Sequence, residues 1–359
     1  MRFRYVDAGP MDMARSSGLM GVFAASIVNG GPEILMTTLF DTGHFQIGWF
    51  DDVDAVIDLD EARRRGVQVF RRPIWGGGCA FYDTRAVATF SWFLRHAEYA
   101  SVDAALERVR PVMRRALDAV GLRDASFEGS SDIRWRGRKL GTVIAQDVMG
   151  TRIVGGFLNL RAPDLETYAA IARVPEEKFK DKVVKDAVAY ICTPADVRGS
   201  DLAYEELRDA IVRESRAEGM DLEPRPVSEE ERAQLAGFEQ AINADDWVHR
   251  SSSSRFAAAH PGARFANYKA KKLVRAGLAL GGDGAIAAAM IAGDMHVSPP
   301  EAMDDVAKAL VGARASDPAD VAARVEAVFE NITQPDAAAG ITPADVVACV
   351  LRAANGAPS

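Results

Sequence analysis

Cysteine is scarce: Cys79, Cys192 and Cys349 are the only three in 359 residues. They stand far apart, with no spacing that gathers metal ligands. An odd, sparse set points to free thiols in a reducing compartment. The five histidines form no His-x-x-x-His pair, so no protein-held metal is expected from them. Basic residues are outnumbered, 43 Lys and Arg against 51 Asp and Glu, a net charge of −8. That balance argues against a nucleic-acid binder relying on a basic face. It suits a soluble enzyme that handles anions in one local basic pocket. No internal repeat is present. The apolar run 18–28 has arginines upstream and resembles a signal-peptide core, but Asp7 and Asp12 break the basic lead. The run is also well short of the roughly 20 residues a bilayer requires. It reads as a buried first helix, and the chain as cytoplasmic, with neither membrane nor nucleic acid as partner.

What stands out is Arg71-Arg72-Pro73-Ile74-Trp75-Gly76-Gly77-Gly78-Cys79-Ala80-Phe81-Tyr82-Asp83. A β-prone run leads into three glycines, and a second apolar run follows. Glycine serves where φ must be positive or where a ligand must approach the backbone. The bare N–H groups of such a loop can hold phosphate or carboxylate oxygens. Arg71 and Arg72 offer guanidinium forks for anions. A triple glycine between apolar runs also suits a tight hairpin or a bulge, and both readings stay open on composition.

The rest of the chain alternates strands and helices. Strands are expected over 2–6, 34–39 and 45–49, and helices over 18–28 and 58–65. The spacing of Val102, Leu106, Val109, Met113, Leu117 and Val120 predicts a helix over 101–121, with Ser101 as cap and Pro111 as a candidate kink. A three-strand meander is expected over 131–135, 139–145 and 153–160, turning at Arg136-Gly137-Arg138. By itself Lys139 reads as a solvated turn lysine. Further helices are expected over 164–172, 176–189, 204–217 and 228–241. The segment 244–262, with Ser251-Ser252-Ser253-Ser254 and Pro261, has linker composition and sets the expected domain boundary. In the tail, strands over 272–280 and 285–291 flank the turn Gly281-Gly282-Asp283-Gly284, and helices are expected over 300–311, 319–329 and 343–354.

Four elements, in order, resemble the lipoate–protein ligases. The glycine stretch is similar to that family's Arg-Arg-x-x-Gly-Gly-Gly-Ala-Val-(Tyr/Phe)-His-Asp signature. Asp132 with Gly137-Arg138-Lys139-Leu140-Gly141-Thr142 resembles its lysine strand. Gly156-Phe157-Leu158-Asn159-Leu160 resembles its His-Gly-x-Leu-Leu strand. Asp283-Gly284-Ala285-Ile286 and Gly293-Asp294-Met295 resemble elements of its C-terminal domain.

The resemblance implies an α+β fold, a mixed, largely antiparallel sheet with packed helices. A catalytic domain over 1–245 and a smaller α+β accessory domain over 246–359 are expected. It implies that lipoate is joined to ATP and the acyl group passed to a lysine of a lipoyl domain. That acceptor would be of the 2-oxoacid dehydrogenase E2 or glycine cleavage H protein type. Lys139 would contact the acyl carboxylate and the α-phosphate. Arg71, Arg72, Gly76, Gly77, Gly78, Cys79, Tyr82, Asp83, Asp132, Gly141, Thr142 and Gly156 would bind ATP or acid, with Arg72 the better placed of the two arginines. Mg²⁺ would accompany ATP, with Asp132 as its ligand or water-holder. Trp75, Phe81, Phe45 and Ile47 would line an apolar tunnel.

The chain departs from the family pattern in its pocket. Three residues, not two, separate the arginines from the glycines; Trp75 is bulky, Tyr82 replaces His, Ser131 replaces Asn and Gly155 stands where His is usual. The lysine strand is also one residue short before Gly141. Two other readings follow: an octanoyl or lipoyl transferase of the same fold acting through a cysteine, and a ligase-like protein that binds acyl group or lipoyl domain without catalysis.

Overall fold

The computed structural model describes residues 2–73, 78–128, 132–173, 190–334 and 340–356. Its strands run in chain order as β1 (Arg2–Met11), β2 (Glu33–Phe40), β3 (His44–Ile47), β4 (Gln68–Arg71), β5 (Ala80–Tyr82), β6 (Val87–Arg95) and β7 (Ser126–Glu128). They continue as β8 (Asp132–Trp135), β9 (Arg138–Val148), β10 (Thr151–Asn159), β11 (Asp221–Pro224), β12 (Arg264–Lys269), β13 (Leu273–Leu280) and β14 (Ile286–Gly293). The chain divides into two units. One holds Met1–His44, Phe81–Leu165 and Val184–Ala241; the other holds Phe45–Ala80, Glu166–Val183 and Ile242–Ser359.

The first unit is built on an eight-stranded sheet ordered β11-β1-β2-β6-β10-β9-β8-β7. Pairing is parallel at β11/β1 and β1/β2 and antiparallel from β2 onward. The fold is therefore the mixed, largely antiparallel α+β sheet that the resemblance implies. Every residue of β2 is buried, because successive side chains point to opposite faces and both faces are covered. On one face Leu35 and Trp92 join the core formed with the helices Val102–Ala119 and Tyr204–Ala217. On the other, Phe23 of the helix Met13–Val28 meets Phe93 edge-on, 5.6 Å between ring centres. Ser101 caps the helix Val102–Ala119 by accepting from the Ala104 N–H, as the sequence predicts. β6 and β11 were not expected as strands. β6 is a central strand buried on both faces, so it lacks the alternation that marks a half-buried strand.

The second unit carries the antiparallel sheet β12-β13-β14, covered by the helices Ala302–Leu310, Pro318–Phe329 and Pro343–Ala354. A single cut at residue 245 assigns 45–80 to the other domain, but Trp49 and Phe50 are buried in this core. The Trp49 indole N–H donates to the Pro300 carbonyl at 2.8 Å, and the Gly293 N–H to the Phe50 carbonyl at 2.8 Å. The serine run is not a loose linker either. Ser252 caps the helix Ser253–Ala259, and the Ser252 and Ser254 hydroxyls donate to Asp54 at 2.5 and 2.9 Å. The expected helix over 176–189 lies largely outside the described residues. No helix among the described residues is long and apolar enough to cross a membrane.

Candidate active site

In the first unit, the hairpin of β8 and β9 carries the lysine. Asp132 and Arg134 lie two residues apart on β8 and so share a face. A register irregularity between Ile133 and Arg134 then brings Arg134 opposite Lys139. The Lys139 ammonium donates to Asp132 Oδ1 at 2.9 Å, so this lysine is not the solvated turn residue that its sequence neighbours suggest. It also lies 5.7 Å from the centre of the Phe157 ring. Arg134 donates to Asp132 Oδ2 through Nε at 3.1 Å and Nη2 at 2.7 Å, and the Tyr190 hydroxyl donates to the same oxygen at 3.2 Å. Burial pushes the Asp132 carboxyl up, but the Lys139 ammonium and then the Arg134 guanidinium outweigh it and hold the group below the usual carboxylate range. Both oxygens are thus taken by donors, so the carboxylate does not fit an open metal ligand as it stands. Among the described residues, no three His, Cys, Asp or Glu side chains group to hold a metal.

The glycines of this site have a packing reason. A Cβ on Gly156 would lie 1.8 Å from the Thr142 carbonyl oxygen, and one on Gly141 would lie 2.3 Å from that of Phe157. Strands β9 and β10 pinch together here, and only glycine fits. The Thr142 hydroxyl oxygen is buried and has no hydrogen-bond partner among the described residues.

Beyond Phe157 an aromatic wall continues. The Tyr82 ring meets Phe157 at 5.3 Å and Phe40 at 5.3 Å, both edge-on, and stacks on the His44 imidazole at 5.2 Å. Burial brings the His44 pKa down to about 4, so the ring is neutral at pH 7. Asp83, expected among the ligand-binding residues, accepts backbone N–H groups from Thr84 and Asp164 at 2.6 and 3.0 Å, which makes it a loop brace.

In the second unit, Arg71 differs from the anion fork expected of it. Its fully buried guanidinium donates to the carbonyls of Gly48, Trp49, Asp51, Trp247, Val248 and Ser251. Burial pushes its pKa down to about 10. The Arg72 N–H donates to the Ile47 carbonyl at 3.1 Å, and the Trp247 indole to the Arg71 carbonyl at 2.8 Å, so the entrance to the glycine stretch is tightly tied. Trp75, Gly76 and Gly77 lie outside the described residues. Gly78 follows at φ +98°, a conformation that side chains resist, and its added Cβ would stand 3.6 Å from Asp294 of the tail. Phe45 and Ile47, expected in the tunnel, are fully buried, and Phe45 stacks on Tyr168 at 5.9 Å. Cys79 and Phe81 are half-buried.

Sequence reasoning missed Arg134, Tyr190 and His44. The i, i+2 spacing of Asp132 and Arg134 was a usable signal. Nothing local marks Tyr190, 58 residues beyond Asp132.

A mixed, largely antiparallel sheet with packed helices is the architecture of the ligase-like class of α+β folds. A family model, the lipoyl protein ligase A/B catalytic domain, matches residues 19–216, more than half of the chain. The chain belongs to that family. It is 23% identical over 215 residues to lipoate-protein ligase A subunit 1 of Thermoplasma acidophilum, spanning 56% of this chain and 79% of that protein. The structure of a bipartite lipoate protein ligase and its E2 lipoyl domain from the same organism is similar, with TM-score 0.57, 19% identity, and 69% and 96% of the two chains covered. An ATP-bound lipoate-protein ligase A is also similar, with TM-score 0.57, 18% identity, and 69% and 98% covered. P. falciparum LipL1 in complex with lipoate covers 98% of this chain and 99% of its own, with TM-score 0.71 at 11% identity. These structural likenesses show the fold.

Proposed function

We propose that this chain is an ATP-dependent lipoate–protein ligase. The lipoate carboxylate attacks the α-phosphorus of ATP, forming lipoyl-adenylate and releasing pyrophosphate. The amine of an acceptor lipoyl-domain lysine then attacks the acyl carbon, and AMP leaves. The acceptor would be an E2 or H-protein lipoyl domain. Membership of the family supports the reading, and the observation that carries it is the Lys139 ammonium held 2.9 Å from Asp132 on a braced hairpin.

Carboxylate attack on phosphorus brings two anions together, and a fixed ammonium between them stabilises the charge that builds in the transition state. The Lys139 ammonium has three donors, so donors remain for substrate oxygens after Asp132 is served. The unpartnered Thr142 hydroxyl supports an acceptor or donor role toward the same substrate. Phe157 and Tyr82 offer apolar surface to an acyl chain whose carboxylate lies at Lys139. Arg72, Gly76, Gly77, Gly78 and Cys79 remain proposed contacts of the nucleotide or acid. Mg²⁺ would enter as the counter-ion of ATP; contact with Asp132 would require that carboxylate to give up a present donor.

A thioester route through Cys349 or Cys192 has less support. Burial pushes the Cys349 thiol up to about 12 and raises that of Cys192, which disfavours both thiolates. The test is pyrophosphate release from ATP with lipoate, octanoate or biotin. Release with lipoate or octanoate is expected. Tight lipoate binding with no release under any acid would overturn the ligase reading in favour of binding without catalysis.

A further inference from the structure

We propose that Arg134 and Tyr190 are positioning residues that lock the Asp132 carboxylate in the orientation that holds Lys139. The two oxygens of Asp132 divide their work. Oδ1 accepts from Lys139 at 2.9 Å, while Oδ2 accepts from Arg134 at 2.7 and 3.1 Å and from Tyr190 at 3.2 Å. A carboxylate held on one oxygen can swing about its Cβ–Cγ bond; one held on both cannot.

Arg134 is itself fixed at three points. Besides Asp132, Nη1 donates to the Gly137 carbonyl of the hairpin turn at 2.9 Å, and Nη2 donates to the Tyr190 hydroxyl at 2.7 Å. The guanidinium also lies 5.0 Å from the centre of the Tyr190 ring. Four of its five N–H donors are engaged, so Arg134 acts as a brace rather than as a hand for the substrate. The segment holding Tyr190 is anchored on the lysine strand. The Cys192 N–H donates to the Lys139 carbonyl at 2.8 Å, Arg138 donates to the Ile191 carbonyl, and Asn159 donates to the Cys192 carbonyl at 3.2 Å. Lys139 thus has β8 on one side of its backbone and Ile191 on the other. Backbone and side chain are both fixed before any substrate arrives, which is the preorganisation that charge stabilisation demands.

Among the described residues, the charged and titratable groups facing Asp132 are Lys139 from β9, Arg134 from β8 and Tyr190; Glu128 of β7 stands 3.6 Å from Arg134. Losing the Arg134 side chain leaves Lys139, among the described residues, as the one cation on Asp132 and frees most of the hold on Oδ2.

The effect on rate rests on the ligase reading; the carboxylate signal does not. The experiment uses the full chain with ¹³C-carboxyl aspartate at fixed pH 7, the Asp132 signal assigned by Asp132→Asn. In Arg134→Gln the Asp132 signal should shift and broaden as the carboxylate gains freedom, and Arg134→Lys should restore most of its position. Pyrophosphate release should fall about tenfold in kcat in Arg134→Gln, the worth of one charged hydrogen bond, with the KM for ATP unchanged. Tyr190→Phe should lower kcat several-fold and leave the KM for ATP unchanged. A structural role alone would lower the melting temperature and leave the Asp132 signal and kcat of the folded protein in place, and that result overturns the proposal. If wild type releases no pyrophosphate, the ligase reading falls and the Asp132 signal alone decides. If Arg134→Gln does not fold, Tyr190→Phe carries the test: an unaltered kcat in that variant would overturn it.

Discussion

Removing the Lys139 amine separates chemistry from stability. The ammonium is 2.9 Å from Asp132, and the two side chains are 26% and 17% exposed, so the pair is sheltered but not dry. Deleting one preorganised donor costs on the order of 10²–10³ in rate, about 2.7–4 kcal/mol. A hydrogen bond to a charged group contributes roughly 1.5–3 kcal/mol to stability. The loss here should be near 1–2 kcal/mol, since Arg134 and Tyr190 stay on Asp132 and solvent screens part of the pair. Domains hold about 5–15 kcal/mol in reserve, so Lys139→Ala should fold and lose turnover. Lys139→Arg keeps the charge and should regain stability but little rate, because a planar fork cannot sit between two crowded anions as an ammonium does.

The pH dependence has a definite sign. A carboxyl held low in the fold contributes stability above its unfolded pKa and loses it as pH falls through the lowered folded value. Lys139→Ala removes the strongest partner lowering Asp132, so acid-side stability should be lost at a higher pH than in wild type. The assay is pyrophosphate release at saturating ATP and lipoate, beside melting curves from pH 3 to 8. Near-normal turnover in a folded Lys139→Ala would refute the mechanism.

Two further predictions concern packing and pH. Gly156→Ala places a Cβ 1.8 Å from the Thr142 carbonyl oxygen, a backbone atom that cannot swing aside. The variant should lose more than about 2 kcal/mol in urea unfolding; an unchanged or higher midpoint would contradict the close strand contact. His44 titrates at about 4 in the fold against 6.5 when exposed, so its protonation favours unfolding as pH falls through that interval. The gap corresponds to roughly 3 kcal/mol, present above pH 6.5 and lost toward pH 4. His44→Phe should flatten stability across that window, and an equally steep loss would show that other groups cause it.

Local signals were legible wherever a residue's neighbours in sequence are also its neighbours in space. Apolar spacing and Ser101 marked the helix Val102–Ala119, and the Gly281-Gly282-Asp283-Gly284 turn marked the hairpin of β13 and β14. The strands around Lys139 were marked by Gly137 and by alternation. β6 escaped because it is covered on both faces. The serine run has linker composition, and composition does not show that Asp54, 198 residues from Ser252, accepts from its hydroxyls.

Strand and helix segments, the family motifs, and a lysine with a carboxylate near it came from sequence alone, because turn chemistry and hydrophobic period act over a few residues. Tertiary structure alone decided the sheet order, the burial of Trp49 and Phe50 in the tail's core, and the use of Arg71 on six carbonyls. It also decided the meeting of Tyr190 with Asp132. Such long-range contacts are set by which surfaces remain to be buried and which polar groups remain to be paired once the local elements exist. No short stretch of sequence carries that information.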